Sequence, residues 1–287
     1  MAHCKSIEDD PTFTDFLLRV GNEIKHCNRH NEIKFPTDMC LPYKHNDAPL
    51  SELLFQIFPD FDIYPLNPRM FNDRAILTPK NDSVHDINEL LINKFPGLAV
   101  DYYSTDITND PFQQSYYQDY LNSIHTPGLP SHLLRLKINC PIMLLRNINP
   151  SEGLCNGTRL ICRHLEKNVL GAEIVSGQHS VESVCIPRIP LEPSDKQKCP
   201  IPFKRHQFPV RLCFAMTFNK SQVQTSNKVG LYLPEPVFSH GQLYVARSRA
   251  RKASDVRILI RPPTIDSAAD DCTKNVVYPE IIDVAVL

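Results

Sequence analysis

Apolar residues recur at helical spacing near both the start and the first third of the chain. Residues 13–20 and 53–58 each carry apolar side chains three and four positions apart, which predicts two amphipathic helices. Residues 74–78 form a short apolar run, which predicts a buried strand. A helix is predicted to follow that strand, and its buried face is marked by Val84, Ile87, Leu91 and Phe95. A strand, a polar turn and a helix together make an α/β half-unit.

From Leu136 the pattern changes to short apolar runs separated by turn residues. Asn156-Gly157 and Ser176-Gly177 are two of these turns. Short strands at this spacing predict a small β-barrel. The predicted strands are residues 140–145, 158–162, 169–175 and 181–186.

The α/β pattern returns at Val210, so the barrel is predicted to be inserted within an α/β domain. The predicted elements here are strand 210–216, helix 218–226, strand 229–233, helix 239–248 and strand 256–260. The resulting division of the chain is a helical lead-in over 1–70, an α/β domain in two parts over 71–135 and 203–262, the inserted barrel over 136–202 and a tail over 263–287.

Composition and charge narrow the function classes. The 287 residues are 42% hydrophobic and 22% charged, as in an ordinary globular protein. No apolar run approaches the ~20 residues that cross a bilayer, and the first ten residues lack a signal-peptide core, so we expect an intracellular protein without membrane contact. The ten cysteines include no Cys-x-x-Cys pair, which favours structural thiols over a metal site.

Basic residues are concentrated in one segment although the whole chain has a net charge of −1. Residues 201–260 contain ten Lys and Arg against two acids, Glu235 and Asp255, which is a charge of +8. This concentration favours one surface that faces a polyanion, with an ordinary solvated charged face as the alternative.

Two short blocks carry the candidate chemistry. In the first, an apolar strand leads into a polar helix start, where backbone amides and the helix dipole favour anions; its polar residues are Lys220, Ser221, Gln222 and Thr225. The alternative is a capped helix with an exposed polar turn. In the second block, residues 203–208 alternate aromatics with the cations Lys204 and Arg205. This suits base stacking with phosphate pairing, and equally a connection whose two Phe fill the core.

The first block with the strand before it (Phe214–Thr225), followed by Gln242-Leu-Tyr-Val-Ala-Arg-Ser-Arg249, resembles the last two motifs of superfamily-one DNA helicases of the PIF-one (petite integration frequency) type, especially the plant and Helitron branch. The similarity is most specific over Lys204–Thr217 and continues through Val229–Val245. It implies an α/β, RecA-like (P-loop NTPase-type) second motor lobe with an inserted Src-homology-three-like barrel. In that family a first motor lobe precedes this part.

The resemblance also implies a role for each candidate residue. Arg249 would neutralise charge on the γ-phosphate of ATP, and Gln242 would assist at the nucleotide; a surface salt bridge is the alternative for Arg249. The polar block, Lys204 and Arg205 would contact single-stranded DNA. Three residues after the first strand would do the same, although Lys80 among them could instead face the nucleotide. Those three residues are Thr78, Lys80 and Asn81.

The sequence also sets limits on activity. The intact family enzyme uses ATP and Mg²⁺, but this chain has no Gly-x-x-x-x-Gly-Lys-Ser/Thr, so we expect neither to bind tightly to it alone. The expected partners are single-stranded DNA and a first motor lobe from a longer gene product. We expect the protein to act in the nucleus, in DNA repair, recombination and telomere maintenance. Val223 and Arg247 replace the family's usual Gly and Leu, which favours a truncated, transposon-derived copy. A non-catalytic DNA-binding module is the alternative.

Overall fold

The computed structural model describes residues 10–21, 32–44, 48–59, 61–64, 66–108, 110, 112, 114–126, 128–193, 201–221, 226–262 and 271–278. The helices in these ranges are α1 (Pro11–Gly21), α2 (Ala48–Ile57), α3 (Asn81–Lys94), α4 (Gln114–Ser123) and α5 (Gln242–Arg247). The strands are β1 (Glu32–Lys34), β2 (Arg74–Thr78), β3 (Ala99–Tyr103), β4 (Thr105–Thr108), β5 (Leu133–Lys137), β6 (Pro141–Leu144), β7 (Arg159–Leu165), β8 (Val169–Ile174), β9 (Ser183–Pro187), β10 (Ile189–Leu191), β11 (Phe203–Gln207), β12 (Val210–Leu212), β13 (Ala215–Thr217), β14 (Lys228–Leu233), β15 (Val256–Ile260) and β16 (Cys272–Lys274).

The chain divides into two compact units. Unit 1 comprises residues 1–60, 73–87 and 215–287, and unit 2 comprises residues 61–72 and 88–214. The division assigns residues 88–135 to unit 2, whereas the sequence pattern groups them with the α/β domain. The predicted domain boundaries therefore stay a prediction.

Unit 1 is built on a parallel sheet with the strand order β13-β2-β14-β15. Its strands read as almost unbroken apolar runs because both faces of a parallel sheet are covered. Helix α2 packs on this sheet through Leu53, Leu54 and Ile57. Gly230 in β14 allows that approach, since a Cβ there would lie 2.8 Å from Cγ1 of Ile57. The predicted strands 74–78, 229–233 and 256–260 are confirmed.

Unit 2 contains three antiparallel sheets, with strand orders β12-β6-β7-β8-β9, β10-β11-β4 and β3-β5. Its five-stranded sheet contains the four strands predicted for the middle of the chain, and β12 joins it from further along the sequence. Closure of this sheet into a small barrel stays a prediction. Helix α4 is anchored by Leu121, which packs in a buried cluster with Leu129, Leu191 and Phe203.

The predicted strand 210–216 is wrong, because this stretch forms two strands in different sheets. β12 pairs antiparallel with β6, whereas β13 pairs parallel with β2. Between them the Cys213 amide donates to Pro141 O over 3.0 Å, and the Phe214 amide donates to Oδ1 of Asn88 over 3.0 Å. Residues 212–216 are apolar and buried across the junction of the two strands, so nothing in the local pattern marks the change of sheet.

Two helix boundaries also differ from the prediction. The segment after β13 is a 3₁₀ turn over Phe218–Ser221 rather than an α-helix. Residues 222–225 of the predicted helix lie outside the described residues. The predicted helix 239–248 is α5, which begins only at Gln242 because Gly241 adopts a φ of 70°. The described helices include none that is long and apolar enough to span a membrane.

Candidate nucleic-acid and nucleotide interface

Two neighbouring strands of the parallel sheet end with threonine at the same edge. Thr78 closes β2 and Thr217 closes β13, and the two residues are register partners. Thr78 is fully buried, and its hydroxyl oxygen has no hydrogen-bond partner within the described part of the chain. Ligands of open α/β sheets bind beyond the carboxyl ends of the strands. The loops that leave this edge therefore carry the candidate site.

The 3₁₀ turn after β13 places Lys220 and Ser221 next to this edge. Lys220 is half-buried, and Ser221 is buried with its hydroxyl donating to Phe218 O over 2.7 Å. The Ser221 side chain therefore stabilises its own turn. The other two predicted DNA contacts of this block, Gln222 and Thr225, lie outside the described residues, as does Val223.

The guanidinium of Arg249 donates hydrogen bonds to several groups among the described residues around it. Its Nε donates to Val245 O over 3.1 Å, Nη1 donates to Ser221 O over 3.2 Å, and Nη2 donates to Oγ of Ser248 over 2.8 Å. Its own carbonyl oxygen accepts from the amide of Ser226 over 2.9 Å. Arg249 thus joins the end of α5 to both described ends of the segment that follows β13.

Gln242 is buried and closes the turn that precedes α5. Its Oε1 accepts from the amides of Phe238 and Ser239, over 3.2 and 3.3 Å. The side-chain oxygen therefore satisfies two backbone amides of the turn that leads into the helix. Contact between Gln242 and a nucleotide stays a prediction.

Lys80 and Asn81 follow β2 at the same edge of the sheet. Asn81 is exposed and begins α3. The ammonium of Lys80 forms an ion pair with the carboxylate of Glu235, which follows β14. Glu235 is a residue that the sequence pattern missed, because 155 positions separate it from its partner. Its only local signal is its place between Pro234 and Pro236.

Arg205 does not lie on a surface, which corrects its assignment as a DNA contact. It is fully buried in unit 2, where its Nη2 lies 2.7 Å from Oδ2 of the equally buried Asp106. Nη1 and Nη2 also donate hydrogen bonds, over 2.6–3.1 Å, to the carbonyl oxygens of Leu121, Ile124 and Pro130. This arginine is a structural cation that satisfies the backbone around α4.

The strand that carries Arg205 alternates strictly between core and surface. Phe203, Arg205 and Gln207 are buried, whereas Lys204 and His206 are exposed. Phe208 is also buried, so both phenylalanines of this segment fill the core, as the second of the two sequence readings holds. Of the two cations predicted to contact DNA in this strand, Lys204 is the one that is accessible to a phosphate. Its Nζ lies 3.4 Å from Oε1 of Glu192.

Arg247 points into the interior of unit 1. Its guanidinium carbon lies 4.9 Å from the ring centre of Phe35 and 5.5 Å from that of Phe13, and Nη2 lies 3.4 Å from Sδ of Met39. Burial lowers the pKa of Arg247 to about 9. The Arg247 side chain therefore does not reach solvent beside Arg249.

Within the described ranges no group of three or more His, Cys, Asp and Glu is arranged to hold a metal ion.

Comparison with known proteins shows similarity to one group of DNA helicases. The family model described as "DNA helicase Pif1, 2B domain" matches residues 119–165, a range that contains β5, β6 and β7. The chain is similar to the PIF1-type DNA helicases. Among curated proteins it is 28% identical to the ATP-dependent DNA helicase PIF1 of Danio rerio over 199 residues, which are 68% of this chain and 28% of that protein. It is 34% identical to the Homo sapiens PIF1 over 149 residues, 52% of this chain and 22% of that protein. The chain thus spans less than a third of these relatives.

Solved PIF1-type structures share the fold. The Pif1 helicase of Candida albicans superimposes with a TM-score of 0.59 at 17% identity, over 98% of this chain and 58% of that chain. The Bacteroides Pif1 in complex with ADP-AlF3 and single-stranded DNA gives a TM-score of 0.56 at 18% identity, over 97% and 54%. The RecA-like, mixed α/β fold class is confirmed. The plant and Helitron branch stays a prediction.

Proposed function

We propose that this chain is the C-terminal portion of a PIF1-type DNA helicase, comprising its second motor lobe and associated 2B region, which grips single-stranded DNA and responds to ATP. The observation that carries the proposal is the hydrogen bond from Arg249 to Ser221. It joins the segment expected to meet the nucleotide with the segment expected to meet DNA. In the intact enzyme, ATP hydrolysis would drive translocation on single-stranded DNA and unwinding of the duplex.

The DNA-binding part of the proposal rests on the carboxyl edge of the parallel sheet. Lys220 lies in the 3₁₀ turn after β13, and Lys80 and Asn81 follow β2 at the same edge. The hydroxyl of Thr78, which ends β2, is buried and has no described partner. Ammonium and amide groups bind the phosphates of any sequence, so binding should be sequence-tolerant and should weaken steeply as salt rises.

The nucleotide part of the proposal rests on Arg249. A guanidinium is always charged near neutral pH and its planar fork matches phosphate oxygens. Such an arginine stabilises charge on the transferred phosphoryl group and is worth ~10³–10⁵ in rate in phosphate-transferring motors. The chain supplies this arginine but no phosphate loop, so the residues present fit only one side of an ATP site. ATP and Mg²⁺ would need the first motor lobe, which would supply the cradle for the phosphates.

A non-catalytic module that binds single-stranded DNA is the second candidate. It is favoured by the absence of the Gly-x-x-x-x-Gly-Lys-Ser/Thr pattern from these 287 residues. Nuclear location and work in repair, recombination or telomere maintenance would follow from the helicase role.

The deciding experiment is the anisotropy of labelled single-stranded DNA titrated with the chain at about 50 and 200 mM salt. We expect the logarithm of affinity to fall linearly with the logarithm of salt concentration. Lys220→Ala should weaken binding and reduce that slope by about 0.7, which is one phosphate contact on a single strand. Lys228→Ala is the matched control, because Lys228 begins β14 at the opposite edge of the same sheet.

The outcomes separate the two candidates. Equal effects of Lys220→Ala and Lys228→Ala would contradict the proposed DNA edge. An affinity that changes with added ATP or ADP favours the motor lobe, and one that does not change favours the simple module. DNA-stimulated phosphate release by the chain alone, lost in Arg249→Ala, would contradict the dependence on a first lobe.

A further inference from the structure

Two oppositely charged residues leave the carboxyl edge of the parallel sheet side by side. Lys80 lies two residues beyond the end of β2, and Glu235 lies two residues beyond the end of β14. β2 and β14 are adjacent and parallel, with Leu77 opposite Leu231. The ion pair between Lys80 and Glu235 therefore bridges two loops at the edge where the proposed function places the phosphates.

Prolines hold both partners of this pair in place. Pro79 precedes Lys80, and Pro234 and Pro236 flank Glu235. Proline fixes its own φ and restricts the preceding residue to extended conformations. The carboxylate of Glu235 is consequently held near Lys80 with little loss of backbone freedom when the pair forms.

The pair is accessible and easily opened. The side chain of Lys80 is 47% exposed and that of Glu235 is 57% exposed. Ion pairs with this exposure shift an equilibrium by only a few-fold, since water screens them and competes for both groups. Such a pair cannot be a major source of stability, but it can compete with a ligand for the same ammonium group.

A carboxylate on a phosphate-binding edge presents to Lys80 the same chemistry as a backbone phosphate, namely a negatively charged oxygen that accepts a charge-assisted hydrogen bond. We propose that Glu235 is a built-in competitor that occupies Lys80 until a phosphate of single-stranded DNA displaces it. This inference rests on the proposed DNA-binding function. Glu235 would thereby help to set the affinity of the lobe for single-stranded DNA and the salt dependence of that affinity.

The test is single-stranded DNA binding by Glu235→Gln, which keeps the size of the side chain and removes its charge. We expect affinity to rise about two- to fivefold, the range set by an exposed ion pair. Removing any acid also raises affinity for a polyanion through long-range electrostatics. Asp82→Asn is therefore the matched control, because Asp82 is an exposed carboxylate in the first turn of α3, two residues from Lys80.

A double-substitution cycle isolates the competition for Lys80. Glu235→Gln should raise affinity in the presence of Lys80 and leave it almost unchanged in a Lys80→Ala background. Asp82→Asn should have the same small effect in both backgrounds. A Glu235→Gln effect that survives Lys80→Ala, or that equals that of Asp82→Asn, would overturn the proposal.

Two further arms separate this inference from the proposed function. If wild type binds DNA and Lys220→Ala weakens it, while Glu235→Gln has no effect, the function holds and the competition is wrong. If neither wild type nor Glu235→Gln binds DNA, both are wrong. A nucleotide arm uses labelled ADP with Mg²⁺ in place of DNA. A gain by Glu235→Gln for ADP but not for DNA would assign Lys80 to the nucleotide and overturn the proposal.

Discussion

Nη1 of Arg249 donates a hydrogen bond of 3.2 Å to the main-chain carbonyl oxygen of Ser221. The two residues are 28 positions apart, and each lies in one of the two motif segments that the sequence singles out. Because the acceptor is a backbone atom, any shift of the guanidinium must be accommodated by the 3₁₀ turn that carries Lys220. Under the proposed function, this bond would couple a phosphate held by Arg249 to the turn that is proposed to face DNA.

The first prediction concerns this link. Arg249→Ala removes the bonds to Ser221 O, Val245 O and the Ser248 hydroxyl, and hydrogen bonds from a charged group are worth about 1.5–3 kcal/mol each. Amide hydrogen exchange in residues 218–221 should therefore accelerate by at least about tenfold, and DNA affinity should fall with it. Arg249→Lys should behave similarly, because an ammonium cannot reproduce the guanidinium fork.

Arg251→Ala is the control for this experiment, since Arg251 is an exposed arginine two residues further on. Exchange in residues 218–221 that is unchanged in Arg249→Ala, or equally changed in Arg251→Ala, would rule out the link.

The second prediction compares two neighbouring cations of β11. Arg205→Ala should lower the free energy of unfolding by about 3–5 kcal/mol, because it leaves the Asp106 carboxylate buried without its cation. Lys204→Ala should change it by less than about 0.5 kcal/mol, since Lys204 is exposed. Urea unfolding measures both values. Similar losses in the two variants would show that Arg205 is not the internal cation described above.

The third prediction concerns the buried arginine of α5. Arg247→Leu removes a charge that is packed between aromatic rings, and replacing buried ions by apolar side chains of similar size is often stabilising. We expect the free energy of unfolding to rise by about 1–3 kcal/mol near pH 7. Thermal and urea unfolding of the two proteins would measure this, and a clear loss of stability would show that the guanidinium contributes more than its burial costs.

The same residue gives a pH dependence with a defined sign. The pKa of Arg247 is about 9 in the folded protein and has its ordinary, higher value when unfolded. Between these values the unfolded chain binds the extra proton, so wild-type stability gains with rising pH relative to the leucine variant. The stability advantage of Arg247→Leu should therefore shrink between about pH 8 and about pH 10.5. An advantage that is constant across this range would contradict the lowered pKa.

The fourth prediction concerns the threonine at the end of β2. Thr78→Val keeps the shape of the side chain and removes a buried hydroxyl that has no described partner, so the free energy of unfolding should rise by roughly 1 kcal/mol. Binding of single-stranded DNA should weaken if this hydroxyl serves the DNA. The control is Thr108→Val, which should be destabilising because the buried Thr108 hydroxyl donates to Asp110 O over 2.7 Å. Thr78→Val that is as destabilising as Thr108→Val would contradict this account.

Local pattern was enough to place three of the four described strands of the parallel sheet and the apolar face of α3. β2, β14 and β15 are short apolar runs between polar turns, and a fully buried strand has no other simple appearance in a sequence. The family resemblance likewise depends on contiguous residues and could be found without any structure. The same resemblance singles out Arg249 and Lys220, whose roles stay a prediction.

Contacts between distant residues were decided only by the tertiary structure. Residues 212–216 form one apolar run across the junction of β12 and β13, so the division of this stretch between two sheets follows from the partners, β6 and β2, and not from the residues themselves. Arg205 and Lys204 are adjacent cations, and only the alternation of β11 and the position of Asp106, 99 residues away, make one internal and the other exposed. The pairing of Lys80 with Glu235 has the same cause. A sequence fixes which residues carry charge, but the free energy of a charge depends on its partners and its access to water, and these exist only once the chain has folded.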